Sequence, residues 1–220
     1  MKRYGLFAVA VLVFGLVGTT RLSAGPTNLI VNGSFETPNV GTGWSLFSNG
    51  SVPGWTTTDS EGLIEIDYSP VVGGPAYDGN QSLEINAYYP EDVVQTVTGL
   101  IVGQTYNLFW AYGDRPYSGD EALAVYFGGT LVTTDYDNLD GSNSTLLWST
   151  NSFLVTATST SEVLSFDGLY PTGVYDNGGL SYGNEIDAVS LVATPEPSSL
   201  LLLGTGLLGL GLLLRRKLTA

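Results

Sequence analysis

The sequence predicts an all-β fold for its central part, an antiparallel β-sandwich of the jelly-roll type. Three observations predict it. Gly, Thr, Ser, Val and Tyr dominate this part, signals for the start of a helix are missing from it, and turn residues recur about every 8–12 residues. About nine or ten short strands suit two packed antiparallel sheets. We expect an N-terminal signal helix and a C-terminal transmembrane helix to flank the sandwich.

Residues 1–24 have the parts of a secretory signal peptide. Lys2 and Arg3 supply the positive start, residues 6–17 form an apolar run, and Ala24 ends a segment of small residues after which cleavage is expected. An uncleaved membrane anchor is the alternative. Residues 25–194 then form the exported body, which is long enough for one domain with its own core.

Alternation of apolar and polar residues marks the strands of this body. Within residues 62–68, Glu65 and Asp67 fall on the face opposite to the isoleucines, and this face is expected to meet solvent. Gly128 and Gly129 predict a hairpin between two strands. The strands are predicted at residues 28–36, where a turn interrupts the segment, and at 62–68, 82–86, 93–98, 105–112, 122–127, 130–133, 148–156, 161–166 and 185–191.

Charge is distributed unevenly along the chain. The chain has 21 acidic and 7 basic residues, and Arg115 is the only basic residue between residues 25 and 194. Such an acidic body repels phosphate backbones, so no nucleic-acid partner is expected, and it attracts cations. Plain solubility is the alternative explanation of the acidity.

The chain contains no cysteine and no histidine, which excludes several chemistries. Disulfides, Ser-His-Asp and Cys-His catalysis, and zinc sites built on those ligands are all ruled out. Glu65 and Asp67 have Cα atoms roughly 6.6 Å apart, as any residues two apart on a strand do. This separation overlaps that of the catalytic carboxylates of glycoside hydrolases. Nothing in the sequence indicates an apolar pocket that raises one pKa, so no catalytic residues are expected, and a carboxylate-dependent glycoside hydrolase is the remote alternative.

The C-terminal residues 195–220 have three ordered parts. These are Pro195-Glu196-Pro197, a Leu- and Gly-rich apolar span at about residues 198–214, and the basic cluster Arg215-Arg216-Lys217. This order resembles the PEP-CTERM sorting signal of Gram-negative bacteria. The resemblance implies an exosortase as partner, cleavage near the Pro-Glu-Pro triplet, and delivery to the cell surface or extracellular matrix. The span would cross the inner membrane with its basic end in the cytoplasm. An ordinary single-pass anchor is the alternative.

Four segments of the body resemble a second family when they are taken in order. They are Asn-Leu-Ile-Val-Asn-Gly-Ser-Phe-Glu at 28–36, Gly-Asn-Gln-Ser-Leu-Glu-Ile at 79–85, the stretch from Gln-Thr-Val-Thr-Gly-Leu to Gly-Gln-Thr-Tyr-Asn-Leu at 95–108, and Asn-Glu-Ile-Asp-Ala-Val-Ser-Leu at 184–191. This order is similar to that of galactose-binding-like jelly rolls, the fold of many carbohydrate-binding modules, and in particular to bacterial choice-of-anchor domains.

This second resemblance implies a structural calcium ion. Many such modules bind calcium with the Glu after Asn-Gly-x-Phe and with the Asp of the closing Ile-Asp, which are Glu36 and Asp187 in this sequence. Calcium is held by six to eight hard oxygen ligands, which carboxylates and carbonyls provide. The alternative is that both residues are exposed or turn-capping acids.

The resemblance also implies a non-catalytic body that binds polysaccharide. Aromatic rings on loops can stack on sugar C–H surfaces while neighbouring polar groups bind hydroxyls. The candidates are the loop tyrosines Tyr88, Tyr89, Tyr117, Tyr170 and Tyr175. The alternative is a purely structural surface or biofilm-matrix protein without a specific glycan ligand.

Overall fold

A computed structural model describes residues 27–58, 60–88, 92–116, 122–136, 144–169, 183–195 and 204–209. The predicted signal peptide lies outside the described residues. The described part of the body contains eleven β-strands and one short 3₁₀ helix, Ser69–Val72. The strands are β1 Trp44–Ser48, β2 Thr56–Thr57, β3 Leu63–Tyr68, β4 Gln81–Glu84, β5 Asp92–Thr98, β6 Thr105–Asp114, β7 Ala122–Phe127, β8 Thr130–Tyr136, β9 Leu147–Thr156, β10 Ser161–Leu169 and β11 Glu185–Ala193.

The strands form two antiparallel sheets, which confirms the predicted β-sandwich. Sheet A has the strand order β1-β3-β4-β11-β6-β9, and sheet B has the order β2-β5-β10-β7-β8. The inner faces of the sheets enclose one hydrophobic core. Its largest fully buried side chains include Trp55, Trp110, Tyr106, Phe35 and Phe166.

Strand β6 shows how alternation directs side chains to the two faces of sheet A. Tyr106, Leu108, Trp110 and Tyr112 are all buried in the core. Residues between them therefore point to the outer face of the sheet, because successive side chains in a strand alternate. The strand pairs with β11 on one side and with β9 on the other.

The prediction of strands within residues 28–36 is wrong, although the predicted turn at Asn32 and Gly33 is present. The segment makes only an isolated bridge between Asn28 and Val192. Asn32 and Phe35 have positive φ values of 52° and 54°, which are incompatible with a continuous strand. Side chains replace the missing ladder, since Gln95 Oε1 accepts the Val31 amide at 2.8 Å and Gln95 Nε2 donates to the Val31 carbonyl at 2.9 Å.

Two short strands were missed by the sequence prediction, and the predicted hairpin is confirmed. β1 and β2 lie in segments with many glycine and turn residues, where the alternation is too short to detect. The hairpin between β7 and β8 is present, with Gly128 and Gly129 both at positive φ. β8 also extends further than predicted, to Tyr136.

Candidate functional site

The outer face of sheet A carries a cluster of four acidic residues. Ile64, Ile66, Leu83 and Ile186 fill the core from β3, β4 and β11, so the alternate residues of these strands face outwards. We call Glu65, Asp67, Glu84 and Glu185 the acidic cluster. Glu84 is directly opposite Glu65 on one side and directly opposite Glu185 on the other. Like charges directly opposite each other destabilise a sheet, so this arrangement calls for compensation.

The expectation that Glu65 and Asp67 meet solvent is wrong. Their exposed fractions are 7% and 1%, and Glu84 and Glu185 are fully buried. The alternation was interpreted correctly, but the outer face is covered where the chain near Arg115 and Gly183 packs on it. A face opposite to the core is solvated only if no other segment lies over it.

Arg115 is the counter-charge of the acidic cluster. Its guanidinium donates to Glu84 Oε2, and the Gly183 amide donates to Glu84 Oε1 at 2.5 Å. The Arg115 amide in turn donates to Asn184 Oδ1 at 3.2 Å, and Asn184 Nδ2 donates to the Tyr112 hydroxyl at 2.6 Å. The single basic residue of the body is therefore bound within the acidic cluster.

Burial raises the pKa of every carboxyl group in the acidic cluster. It raises the pKa of Glu65 to about 8, and the negative charge of Asp67 acts in the same direction. Burial also raises the pKa of Asp67, and it raises the pKa values of Glu84 and Glu185 well above their ordinary value. Arg115 lowers all four pKa values but does not outweigh burial. The protein environment alone therefore does not stabilise four ionised carboxylates.

Three buried oxygens of the acidic cluster have no hydrogen-bond partner among the described residues. They are Asp67 Oδ2 and both carboxylate oxygens of Glu185. In addition, Glu65, Asp67 and Glu84 each place one oxygen within 4.8 Å of the other two. Buried polar groups are nearly always satisfied, so these oxygens indicate a missing partner.

Glu36 and Asp187 are held by the same turn of the chain, residues 78–81. Glu36 Oε1 accepts the amides of Asn80 at 2.6 Å and Gln81 at 2.8 Å. Asp187 Oδ2 accepts the Asp78 amide at 2.7 Å. The structure thus gives both carboxylates amide partners, and calcium at this pair stays a prediction.

The backbone around this pair is strained. Asn32, Phe35 and Ala188 are the non-glycine residues with positive φ in the described chain, and they flank Glu36 and Asp187. The register of β11 shifts between Asp187 and Ser190, as expected for a β-bulge. Burial raises the pKa of Asp187 to about 7, although the amides of Asp78 and Ala188 act against it. Strained backbone often marks functional positions.

Aromatic rings form a surface at the opposite edge of sheet A. We call Tyr77, Phe109 and Trp148 the ring platform. The Tyr77 ring centroid lies 6.2 Å from that of Phe109 and 6.1 Å from that of Trp148. The Trp148 indole lies directly over Gly113, where an added Cβ would be 2.8 Å from its ring, and Trp148 Nε1 donates to the Pro75 carbonyl at 2.8 Å. The platform is therefore fixed, and Tyr77 is 45% exposed.

The sequence prediction named other rings. Tyr88 is 47% exposed, whereas Tyr89, Tyr117, Tyr170 and Tyr175 lie outside the described residues. One signal pointed to the platform: Phe109 is out of step with the core-facing aromatic residues of β6, so it has to face outwards.

A groove of about 310 Å³ lies between the edge strands β8 and β9, away from the acidic cluster. Leu131, Val132, Phe153 and Leu154 supply most of its apolar lining. Its acidic residue, Glu162, already accepts bonds from the Thr158 amide and hydroxyl and from the Ser159 amide. Its lining is therefore mainly apolar, and one oxygen of its acidic residue is already occupied by local hydrogen bonds.

The C-terminal part of the chain matches a known family model. Residues 193–217 match the model described as the PEP-CTERM protein-sorting motif. The chain carries a PEP-CTERM sorting motif. This motif implies export and sorting to the cell surface, as predicted from the sequence. Pro195 is exposed, whereas Glu196, Pro197, Arg215, Arg216 and Lys217 lie outside the described residues.

Little of the apolar span before the basic cluster is described. Residues 204–209 are helical. Among the residues with a described position, no helix has the length and apolar character needed to cross a membrane.

One curated relative matches most of the chain. Halomucin of Haloquadratum walsbyi is 28% identical over 199 residues, which is 86% of this chain and 2% of the relative. The chain thus spans a very small part of that protein.

Two solved cyclase structures share the fold of the body. A cyclase from Fischerella sp. TAU has a TM-score of 0.52 at 18% identity and covers 79% of this chain and 100% of its own. A Stig cyclase from the same source, in complex with an indole compound, has a TM-score of 0.53 at 18% identity, with the same coverage. A family 35 carbohydrate-binding module from Clostridium thermocellum has a TM-score of 0.41 at 10% identity, over 68% of this chain and 98% of its own. At these identities the two cyclases show a shared fold alone.

Proposed function

We propose that the chain is an exported, exosortase-sorted surface protein whose β-sandwich binds polysaccharide without catalysing a reaction. The observation that carries the binding proposal is the ring platform, which places three aromatic side chains on the outer face of sheet A. Exposed rings stack on sugar C–H surfaces, and β9, which carries Trp148, is an edge strand of sheet A in the described part of the chain.

Polar groups suited to sugar hydroxyls lie beside the ring platform. Thr150 and Ser152 are exposed on the outer face of β9, next to Phe109 and Trp148. The Ser152 hydroxyl donates to Asn107 Oδ1 at 2.8 Å, which orients both groups along the same face. A ring surface with adjacent hydroxyl and amide groups is suited to polar, ring-shaped ligands such as sugars.

The sorting motif supports the cellular part of the proposal. In this account residues 1–24 are a signal peptide, residues 25–194 are the β-sandwich domain, and residues 195–220 are the sorting signal. The C-terminal span holds the protein in the inner membrane until an exosortase acts near Pro195. The final location is then the cell surface or extracellular matrix of a Gram-negative bacterium, where polysaccharide is available as a ligand.

Structural calcium at Glu36 and Asp187 is part of the same proposal. The strained backbone on both sides of the pair supports it, and so does the burial of Asp187, whose pKa is raised to about 7. Calcium would hold the N-terminal segment against β11 near Gly33 and Val189, which already share a hydrogen bond of 2.8 Å.

A carboxylate-dependent glycoside hydrolase is the second candidate, because the pKa of Glu65 is raised to about 8 beside other carboxyl groups. The burial of its neighbours weighs against this function. Glu84 and Glu185 are fully buried, so a sugar cannot reach them in this conformation.

The proposal is tested by measuring the binding of the purified full chain, kept in detergent, to a panel of polysaccharides with and without EDTA. The panel includes the exopolysaccharide of the producing organism. Saturable binding supports the proposal, and its loss in EDTA supports the structural calcium. Absence of binding to every polysaccharide overturns it and favours a purely structural surface protein. Release of reducing sugar that is lost in Glu65→Gln would favour the hydrolase.

A further inference from the structure

The protein itself cannot balance the charge of the acidic cluster. Glu65, Asp67, Glu84 and Glu185 are all buried, and Arg115 is their cationic partner. No other Lys, Arg or His occurs between residues 25 and 194. Buried charges are normally paired or bound to a metal, so the three carboxyl groups in excess require protons or a bound cation.

The position of the unpartnered oxygens bears on both solutions. A protonated carboxyl group is stable in a protein interior when its hydroxyl has an acceptor, and Asp67 lies within reach of the carboxyl groups of Glu84 and Glu185. If all four groups are ionised, both oxygens of Glu185 and Asp67 Oδ2 are left without a donor that satisfies hydrogen-bond geometry among the described residues. Glu185 is fully buried and lies directly opposite Glu84 on the same face of sheet A. An unsatisfied carboxylate in this position is costly unless something binds it.

The spacing of the oxygens fits a hard divalent cation. Glu65, Asp67 and Glu84 each place one oxygen within 4.8 Å of the others. Two oxygens on opposite sides of a calcium ion are about 4.6–5.2 Å apart, since each lies about 2.3–2.6 Å from the ion. Neighbouring ligands are closer, so the three oxygens can surround one ion without movement of the strands.

We propose that the acidic cluster is a buried binding site for one hard divalent cation of the calcium type. Glu65, Asp67 and Glu84, whose oxygens converge, are the principal ligands, and Glu185, directly opposite Glu84, is the buried carboxylate beside them. Glu84 contributes through the lone pairs that Arg115 and Gly183 leave available. This site is separate from the one expected at Glu36 and Asp187 and does not depend on glycan binding.

The site has a structural consequence for sheet A. β3, β4 and β11 are adjacent strands, and their outward carboxylates repel one another across the sheet. A bound cation would convert this repulsion into a link between the three strands. We therefore expect the ion to stabilise the folded state, because a ligand that binds only the native state shifts the folding equilibrium.

The test is calorimetric titration of the EDTA-treated and dialysed full chain in detergent with CaCl2, MgCl2 or MnCl2 in separate experiments. Glu36→Gln removes the other expected site, and this variant should still bind one cation. Glu185→Gln should lose one site relative to wild type, or bind there at least about tenfold more weakly. Glu162→Gln is the matched control, a buried glutamate outside the cluster, and should bind as wild type does.

Thermal unfolding supplies a second readout. Without divalent cations, Glu185→Gln should be at least as stable as wild type, because it lacks one uncompensated carboxylate. With saturating cation, wild type should gain stability and Glu185→Gln should gain less. Asp67→Asn replaces Glu185→Gln if the latter does not fold. The proposal is overturned if Glu36→Gln binds no cation, or if cations stabilise Glu185→Gln as much as wild type.

Discussion

Gly33 allows two distant parts of the chain to meet in close contact. A Cβ added at this residue would lie 2.0 Å from the Val189 carbonyl oxygen, while the Gly33 carbonyl accepts the Val189 amide at 2.8 Å. The same contact brings the N-terminal segment to the bulge of β11, next to Asp187. A side chain at residue 33 would therefore push apart two segments that both contribute to the core and to the proposed calcium site.

We predict that Gly33→Ala destabilises the fold by about 2 kcal/mol or more, because the added methyl group forces the backbone apart. Gly43→Ala is the control, since an added Cβ there has no atom within 4 Å. It should change the free energy of unfolding by less than about 0.5 kcal/mol. Urea denaturation of both variants measures the difference. Equal stability of the two variants would show that the contact with Val189 is not as close as described.

Asp135 is a half-buried acid whose hydrogen-bond donors are neutral side chains. Its Oδ2 accepts Trp110 Nε1 at 3.1 Å and Asn151 Nδ2 at 2.8 Å. Burial raises the pKa of Asp135 above the ordinary value of 3.8, and the hydrogen bond from Trp110 opposes this shift. Because the folded-state pKa is raised, its contribution to stability is present at low pH and is lost as the pH rises through that pKa.

We predict that Asp135→Asn becomes progressively more stable relative to wild type as the pH rises from about 4, the ordinary pKa of an aspartate. The amide oxygen can accept both hydrogen bonds and carries no charge. Urea denaturation of both proteins over this pH range checks the prediction, and groups common to both cancel in the difference. A stability difference that stays constant with pH would contradict it.

At the scale of the strands, alternation predicted most of the fold correctly. The strongly patterned β3, β6, β10 and β11 lie where the sequence places them. Alternation could not reveal what covers the outer face, so Glu65 and Asp67 were expected in solvent. It also could not show that Glu65, Glu84 and Glu185, which are far apart in sequence, become neighbours, since this depends on the strand order of sheet A.

Strand pairing in sheet A also determines where the Trp148 ring of the ring platform lies. Gly113 in β6 is directly opposite Trp148 in β9, and the indole lies over the space that a side chain would occupy. The sequence offers no sign that this glycine supports a ring, because the contact joins two strands that a long connection separates.

We predict that Gly113→Ala displaces the Trp148 ring, because the added methyl group would be 2.8 Å from it. Polysaccharide affinity should then fall at least about fivefold, which corresponds to about 1 kcal/mol. The change in the tryptophan emission spectrum reports the displacement, and a binding isotherm reports the affinity. Gly43→Ala should leave both unchanged. Unchanged affinity in Gly113→Ala despite a displaced ring would remove Trp148 from the proposed binding surface.

At the scale of the whole molecule, six of the seven basic residues lie near the two ends of the chain, and the body between them is strongly acidic. The body has one arginine, and this arginine is used internally by the acidic cluster. The charged side chains on the outer surface of the body are therefore almost all anionic, which favours solubility and attracts cations.

We predict that alanine at Pro195, Glu196 and Pro197 together prevents delivery to the surface, because these residues form the part of the sorting motif that precedes the apolar span. In a host that has an exosortase, this variant should remain in the inner-membrane fraction. Ser199→Ala is the control and should be sorted as wild type is. Cell fractionation followed by immunoblotting measures the distribution, and surface delivery of the triple variant would contradict the prediction.

The most direct test of the account is the affinity of Tyr77→Ala for a polysaccharide that wild type binds, compared with that of Tyr136→Ala. Both rings are exposed, by 45% and 64%, but Tyr77 belongs to the ring platform whereas Tyr136 lies in β8 of sheet B. We predict at least about a tenfold loss of affinity for Tyr77→Ala, about 1.4 kcal/mol, and none for Tyr136→Ala. Equal affinities of the two variants and wild type would show that the outer face of sheet A does not bind the glycan.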